Sequence, residues 1–205
     1  ATNVTVQDLA HIHVHCQDAT VQLDDDGSGS INADDVIVPG SLYDNCGIAD
    51  TVVTPSTFTC NDIGSPVTAT LLVTDINGNT ATCTAQITVE DNIAPTALCT
   101  SVTIQLGASG IATVVPSDLD GGSTDNCGID ALGYSVDVPS FDCTSAGTTQ
   151  TVVLTVTDVN GNTATCDASV TIEDNIDPVA VCQDLIIDLD VLGTATLTGA
   201  MVDAG

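Results

Sequence analysis

Apolar and polar residues alternate with a period of two in most of the hydrophobic segments of this chain. The segments are short, rich in Val, Ile and Thr, and separated by clusters of Gly, Pro, Asn and Asp. Examples are TLLVTD (70–75), QITVED (86–91), SVTIQLG (101–107), QTVVLTVTD (150–158) and ASVTIED (168–174). A period of two is typical of β-strands, and no segment has the 3.6-residue period of an amphipathic helix. The pattern predicts an all-β protein.

The chain repeats itself with a step of about 83 residues. This step separates Cys16 from Cys99 and Cys99 from Cys182, and TDINGNTATC (74–83) returns as TDVNGNTATC (157–166). Each unit holds about seven short strands, the size of a small immunoglobulin-like β-sandwich. The sequence therefore predicts tandem immunoglobulin-like β-sandwich repeats. The predicted boundaries are a terminal strand of a preceding repeat at 1–10, repeat 1 at 11–92, repeat 2 at 93–175 and an incomplete repeat 3 at 176–205.

The charge of the chain has one sign only. Its 205 residues include no Lys or Arg and 28 carboxylates, which give a formal net charge of −28. Disorder requires low hydrophobicity, but 43% of these residues are hydrophobic. A folded chain of this kind should repel nucleic acid and anionic membranes, and it needs cations to neutralise it. Hard divalent cations with carboxylate and carbonyl ligands fit best, which predicts Ca²⁺ as the cofactor.

The order of motifs within each unit resembles a known family of repeats. A cysteine at the start is followed by DNCG, S-x-F-x-C, TDxNGNTATC and ExDN-x-x-P, and most of this order occurs twice. The pattern is similar to the hyalin-repeat-like (HYR-like) domains that recur in surface adhesins of Bacteroidota and related bacteria. The segment LAHIHVH (9–15) departs from it, because other units read NIAPTAL and NIDPVAV there. The resemblance implies an extracellular, stalk-like or adhesive protein without catalytic residues.

Four cysteines in each full repeat allow three disulfide connectivities. The first and last strands of a sandwich can lie side by side, so we expect Cys16–Cys83 and Cys99–Cys166 to close each repeat. Cys46–Cys60 and Cys127–Cys143 then form local loops, and Cys182 is left to pair beyond residue 205 or with another chain. The alternative is a set of buried free thiols, which a secreted composition disfavours.

Acidic residues are predicted to converge at the junctions between repeats. Because strands of a sandwich run alternately up and down, the linker after repeat 1, the 116–127 loop and the 158–162 hairpin should meet at one end of repeat 2. The candidate Ca²⁺ ligands there are Glu90, Asp91, Asn92, Asp118, Asp120, Asp125, Asp158, Asn160 and Asn162. The equivalents in repeat 1 are Asp8, Asp34, Asp35, Asp44, Asp75, Asn77 and Asn79, and the next junction begins with Glu173, Asp174 and Asn175.

Other interpretations of these motifs stay open at the sequence level. D-x-N-G-N is also good hairpin chemistry, since Asn-Gly favours a type I′ turn, and DNCG could be only an Asx-type turn. The loop with Asp24, Asp25 and Asp26 resembles calcium-wrapping loops, but it could equally be a solvated acidic hairpin.

The three histidines form a separate candidate site. His11, His13 and His15 lie on one face of a predicted strand and could bind Zn²⁺ or Cu²⁺, or respond to pH, or simply form an exposed polar face. No hydrolase, nucleotide-binding or metalloprotease motif is present, so we do not expect an enzyme.

Two functions are consistent with these features. The first is an extracellular or cell-surface structural rod or filament, rigidified by calcium, whose partners are neighbouring repeats and identical subunits. The second is an adhesin module that binds a glycan or a protein; the scarcity of aromatic residues argues against carbohydrate stacking. Neither involves nucleic acid or insertion into a membrane.

Overall fold

A computed structural model describes residues 11–203 and is all-β. Repeat 1 contains β1 (Ala19–Gln22), β2 (Ser28–Ser30), α1 (Ala33–Val36), β3 (Ile48–Thr54), β4 (Thr57–Thr59), β5 (Val67–Asp75) and β6 (Thr80–Glu90). Repeat 2 contains β7 (Val102–Gln105), β8 (Ile111–Thr113), β9 (Ile129–Val136), β10 (Ser140–Asp142), β11 (Thr149–Asp158) and β12 (Thr163–Glu173). A four-residue helix, α2 (Gly199–Val202), follows in the third unit. Among the described residues, no helix is long and apolar enough to cross a membrane.

Each repeat is a small β-sandwich. A four-stranded sheet in the order β1-β6-β5-β3 faces the two-stranded pair β2-β4, and repeat 2 matches it with β7-β12-β11-β9 and β8-β10. Alternation along β5 turns Ala69, Leu71 and Val73 inward, where Phe58 of β4 also lies. The period-two pattern of the sequence therefore corresponds to one buried face and one exposed face.

The first and last strands of each repeat pair in parallel. Ala19 of β1 lies opposite Ile87 of β6, and β7 pairs with β12 in the same way. Beside these ladders are the disulfides Cys16–Cys83 and Cys99–Cys166, which are the two closing pairs expected from the sequence. Each closes a loop with a sequence separation of 67 residues. Disulfides of this kind stabilise a small domain by about 2–4 kcal/mol.

The segment before each first strand forms isolated bridges instead of a seventh strand. His13 bridges Tyr43 and Cys16 bridges Ile37, while Cys99 bridges Asp120 in repeat 2. These bridges are isolated and lie outside the ladders of the sheets.

The start of a third unit follows the same plan. Cys182 bridges Asp203, one repeat step after the bridge between Cys99 and Asp120. Apolar side chains in this segment, such as Ile186 and Leu192, are 96% and 82% exposed. Leu189 and Leu197 are 66% and 58% exposed, whereas their counterparts in repeat 2, Leu106 and Val114, are buried in its core. Within residues 176–203 no counterparts of β11 and β12 cover the apolar face.

Neighbouring leucines on β5 provide a test of the sandwich. Leu71 is fully buried and Leu72 is 40% exposed. We expect Leu71→Ala to lower the free energy of unfolding by about 2–5 kcal/mol, because it leaves a cavity in the core. Leu72→Ala should cost about 1 kcal/mol or less. Urea unfolding followed by circular dichroism measures both, and equal losses would contradict the strand register.

Candidate cation site at the repeat junction

Three carboxylates from three segments meet where repeat 1 joins repeat 2. Asp91 follows β6, Asp125 lies in the DNCG loop before β9, and Asp158 ends β11. One oxygen from each lies within 4.8 Å of the others, and no other such group of acidic, His or Cys side chains occurs in residues 11–203. Asp91 and Asp158 are buried, and Asp125 is half-buried. The convergence of linker, loop and hairpin expected from the sequence is therefore present.

The hairpin after β11 holds Asp158 rigidly. Oδ1 of Asp158 accepts hydrogen bonds of 2.8 Å from the backbone N–H groups of Asn160 and Asn162. The side-chain amide of Asn162 donates to Oδ2 of Asp158 and to the carbonyl of Asp91, at 2.8 and 3.1 Å. Of the hairpin residues only Gly161 has a positive φ, of 95°, so this is not the type I′ turn that Asn-Gly favours. The turn is instead capped by the Asp158 carboxylate.

The DNCG loop is built around Asp125. Its Oδ2 accepts from the N–H groups of Cys127 and Gly128, at 2.9 and 3.0 Å, as in an Asx turn. Oδ1 of Asp91 accepts from Ile93 N–H and from the side-chain amide of Asn126, at 3.1 and 3.2 Å. In both carboxylates one oxygen fixes the backbone, and the other is left for the site.

The remaining oxygens of this cluster are buried without hydrogen-bond partners. They are Oδ2 of Asp91, Oδ1 of Asp125, Oδ1 of Asn126 and Oδ1 of Asn160. Buried polar groups are normally paired, and these four acceptors without partners lie at one junction. Two like charges 4.8 Å apart, the separation within this cluster, repel by roughly 3 kcal/mol at an effective dielectric constant of 20. The chain has no Lys or Arg that could pair with these carboxylates.

Asn126 was missed by the sequence analysis. It lies between Asp125 and Cys127 in a motif that occurs twice. In an Asx-type turn the Asp side chain forms the hydrogen bonds, so the motif alone gives the Asn no role. The recurrence of the whole DNCG string was the available signal.

A disulfide joins the two repeats beside this cluster. Cys60, after β4 of repeat 1, is bonded to Cys127 in the DNCG loop of repeat 2, with Cα atoms 5.4 Å apart. The expected local pairs Cys46–Cys60 and Cys127–Cys143 are therefore wrong. The DNCG cysteine lies at one end of each sandwich and the S-x-F-x-C cysteine at the other, so a cysteine of one repeat reaches its partner only in the next.

The turn between β1 and β2 also docks on the DNCG loop. The carbonyl of Asp24 accepts from the Asn126 side-chain amide at 3.0 Å. A Cβ on Gly27 would lie 2.8 Å from both the Asn126 carbonyl oxygen and the Cys60 sulfur. Gly27 also has a φ of 70°, so both its backbone conformation and this close approach require glycine.

The acidic turn at 24–26 uses its own carboxylate locally. Oδ1 of Asp24 accepts from the N–H groups of Asp26 and Ser28, both at 3.0 Å. The Ser28 backbone hydrogen bond is the main cause that lowers the pKa of Asp24. Asp25 faces a cleft of about 400 Å³ at the junction, which Asp125 and Asn126 also line. Asp26 is exposed.

Other candidates at this junction lie apart from the cluster. Glu90 and Asn92 alternate with Asp91 and are exposed, and they hydrogen-bond to Gln22 instead. Asp118 is exposed. Asp120 accepts from Ser123 N–H at 2.8 Å and from the Tyr134 hydroxyl at 3.3 Å.

In repeat 1 the equivalent residues keep the same turns. Asp75 accepts from the N–H groups of Asn77 and Asn79 and from the Asn79 amide. Burial opposes ionisation of Asp75, but these hydrogen bonds together lower its pKa. Asp44 caps its DNCG loop, and its Oδ2 is buried without a hydrogen-bond partner. Asp8 lies outside the described residues.

The remaining acidic candidates are placed elsewhere. Asp35 accepts from Asn32 N–H in a capping box at α1, and Asp34 is exposed on the same short helix. At the far end of repeat 2, Glu173 accepts from Gln105, Asn175 donates to Gln105, and Asp174 accepts from Ile176 N–H. All three are exposed.

The histidines form an exposed edge. His11, His13 and His15 are exposed and alternate with the buried Ile12 and half-buried Val14. The His13 ring stacks on Tyr43, with ring centroids 4.5 Å apart. The polar-face interpretation describes this arrangement.

Comparison with known proteins gives similarity of fold only. No protein-family model matches the chain, and no curated protein matches it. Among solved structures, the EC1-2 fragment of human mucin-like protocadherin has a TM-score of 0.40 and 15% identity, over 80% of this chain and 98% of that one. The EC1–4 fragment of protocadherin gamma B7 has a TM-score of 0.33 and 13% identity, over 79% of this chain and 51% of that one.

A third similar structure is the human desmocollin-1 ectodomain. Its TM-score is 0.30 at 10% identity, and the alignment covers 87% of this chain and 39% of that one. The chain thus spans about half of the gamma B7 fragment and less of the desmocollin ectodomain. At these identities and TM-scores the comparison carries no conclusion about this chain.

Two glycines test the close approach at the junction. Gly40 has a φ of 80° and would place a Cβ in open space, whereas Gly27 faces the DNCG loop. Gly40→Ala should cost about 1–2 kcal/mol from backbone strain alone. Gly27→Ala should cost about 1–3 kcal/mol more, because the loop must move.

The readouts are urea unfolding and the rate at which dithiothreitol reduces Cys60–Cys127. Faster reduction in Gly27→Ala than in Gly40→Ala is expected. Identical rates would show that the turn does not dock on the loop.

The Tyr134–Asp120 contact gives a pH-dependent prediction. Burial, and then the Asp120 charge and hydrogen bond, raise the pKa of Tyr134 above its usual value of 10.0. The associated stability is complete below about pH 10 and is lost as the pH rises through the folded-state pKa. In a Tyr43→Phe background, Tyr134 is the one remaining tyrosine.

Absorbance at alkaline pH then follows the Tyr134 phenolate directly. Asp120→Asn should lower the pKa of Tyr134 by removing the charge, while Asp118→Asn, an equal change of charge on an exposed residue, should leave it nearly unchanged. An Asp120→Asn titration that overlays the parent curve would argue against the contact.

Proposed function

We propose that this chain is part of an extracellular structural rod of HYR-like repeats, in which a Ca²⁺ ion and a disulfide together fix each repeat on the next. The observation that carries this proposal is the set of buried, unpartnered oxygens at the junction. They belong to the linker and to two loops of repeat 2, so one ion would hold the linker against the following repeat.

The donor set favours calcium among the common cations. Asp91, Asp125 and Asp158 supply carboxylates, and Asn126 and Asn160 supply amide oxygens. Ca²⁺ takes six to eight oxygen ligands in flexible geometry, and water or a backbone carbonyl can complete this set. Zn²⁺ and Cu²⁺ prefer the nitrogen and sulfur ligands that this cluster lacks.

Stiffness is the mechanical result of such a junction. Bound Ca²⁺ cancels the repulsion between three carboxylates and ties Asp91 of the linker to the body of repeat 2. Cys60–Cys127 fixes the same junction from the side of the β1–β2 turn. Two constraints on different sides of one linker remove most of the bending and twisting that a single one would leave.

The wider context follows from the same features. Disulfides persist in oxidising compartments, so we place the protein outside the cell or on its surface. Its partners would be further repeats and identical subunits, since a surface this acidic repels nucleic acid and anionic membranes.

Thermal unfolding of the 205-residue chain in chelator and in millimolar Ca²⁺ tests the ion. At a concentration of 100 Kd, a ligand specific for the folded state adds about 2.7 kcal/mol, which raises the Tm by roughly 5–10 °C for a chain of this size. Asn160→Ser removes one orphaned oxygen and should weaken Ca²⁺ binding in calorimetry. Asn61→Ser, on the surface of repeat 1, is the control.

Small-angle scattering separates the two constraints. The Cys60→Ser/Cys127→Ser double variant and the parent chain are compared with and without Ca²⁺. We expect the largest increase in flexibility when the Cys60–Cys127 disulfide and Ca²⁺ are both absent. A Tm shift of a degree or less, with Asn160→Ser and Asn61→Ser indistinguishable, would refute the calcium junction.

A further inference from the structure

Repeat 1 receives the DNCG loop of repeat 2 through three features at its end. Cys60 forms the disulfide, the Asp24 carbonyl accepts from Asn126, and Gly27 leaves room for the loop backbone. A ladder of polar side chains beside them, from Gln22 to Glu90 and Asn92, fixes the start of the linker. We call this end of a repeat its receiving surface.

Repeat 2 builds the same receiving surface at its other end. The Cys143 sulfur lies 3.6 Å from the Gly110 carbonyl oxygen, and the Cys60 sulfur lies 3.7 Å from that of Gly27. A Cβ on Gly110 would lie 2.7 Å from the Cys143 sulfur, against 2.8 Å for Gly27 and Cys60. The cysteine and the glycine are thus placed alike in both repeats.

The adjoining turn and linker match as well. Gly107 takes the place of Asp24, because its N–H donates to Ile111 and its carbonyl accepts from Gly110 N–H, at 3.0 and 2.8 Å. Gln105 donates to Glu173 and accepts from Asn175, each at 2.7 Å.

What differs is the covering of the two surfaces. Cys143 and Asp174 are exposed, whereas Cys60 is half-buried and Asp91 is buried under repeat 2. The receiving surface around Cys143 therefore has its hydrogen bonds in place although no loop covers it.

We propose that Cys143 forms a disulfide with the DNCG cysteine of a further repeat that follows repeat 2, so that one disulfide crosses each junction of the array. All three disulfides have a sequence separation of 67 residues, and the third unit starts in register with the first two. The same separation counted from Cys143 falls on the DNCG position of that third repeat. This inference does not depend on the calcium site.

The bond forms by thiol–disulfide exchange with an external disulfide, such as oxidised glutathione. One protein thiolate attacks the external disulfide and releases one reduced thiol. The second protein thiolate then displaces the other, so two protein thiols lose two electrons and two protons while the external disulfide is reduced to two thiols.

The test is the full chain extended after Gly205 by a copy of residues 123–175, which completes the third repeat. A second chain carries a complete second copy of residues 93–175 after residue 175. Both are oxidised with glutathione, alkylated and mapped by mass spectrometry after cleavage at acidic residues, in chelator and in Ca²⁺. The bond to the copied Cys166, from Cys182 or the copied Cys99, reports that the third repeat has folded.

We expect loss of alkylation at Cys143 and a peptide that links Cys143 to the copied Cys127. Gly110→Ala should slow this bond, while Gly147→Ala should not; their φ values are 74° and 75°, but a Cβ on Gly147 meets open space.

A closed third repeat with alkylated Cys143 overturns the proposal. The proposal is also overturned if neither third repeat forms its closing disulfide, because the receiving surface of repeat 2 then accepts no repeat of this kind. Bond formation that is equal in chelator and in Ca²⁺ leaves the calcium proposal to its own test.

Discussion

The lack of any lysine or arginine governs how this protein can bury charge. Asp75, Asp91 and Asp158 are its buried polar residues among those the structure describes, and two of them meet at one junction. Arginine is the residue best suited to pair with buried carboxylates. Here hydrogen-bond donors from the backbone and from asparagine side chains orient the carboxylates, but none of these neutralises them. In the proposed junction a cation from solution neutralises them.

The two kinds of disulfide have different roles. Cys16–Cys83 and Cys99–Cys166 act within a repeat, where they hold together the parallel first and last strands of a core that contains a single buried aromatic residue. Cys60–Cys127 acts between repeats and holds the DNCG loop, and with it Asp125 and Asn126, against the turn of repeat 1. The covalent bond thereby positions the oxygens on which the proposed ion depends.

Sequence reasoning succeeded where strand direction decided the outcome. The period of two predicted the sandwich, and the alternation of strand direction predicted that the linker, the DNCG loop and the D-x-N-G-N hairpin share one end. It failed where all four cysteines of a repeat were expected to pair within that repeat. Cys46 and Cys60 are close in sequence, but β3 alone spans seven residues, roughly 20 Å, between the ends at which they lie. Alternation turns Glu90 and Asn92 away from the side that Asp91 faces, and they hydrogen-bond to Gln22.

The parallel closing disulfides also decide what happens when the two ends of the chain are pulled apart. Force that enters at Cys16 crosses the bond to Cys83, runs down β6 and continues through the linker to Cys99. The residues between Cys16 and Cys83 are bypassed by this route, so they cannot be drawn out while the disulfide is intact, and they meet repeat 2 at a second covalent point, Cys60–Cys127. Each repeat then behaves as a nearly inextensible link whose length is set by one strand and one short connection.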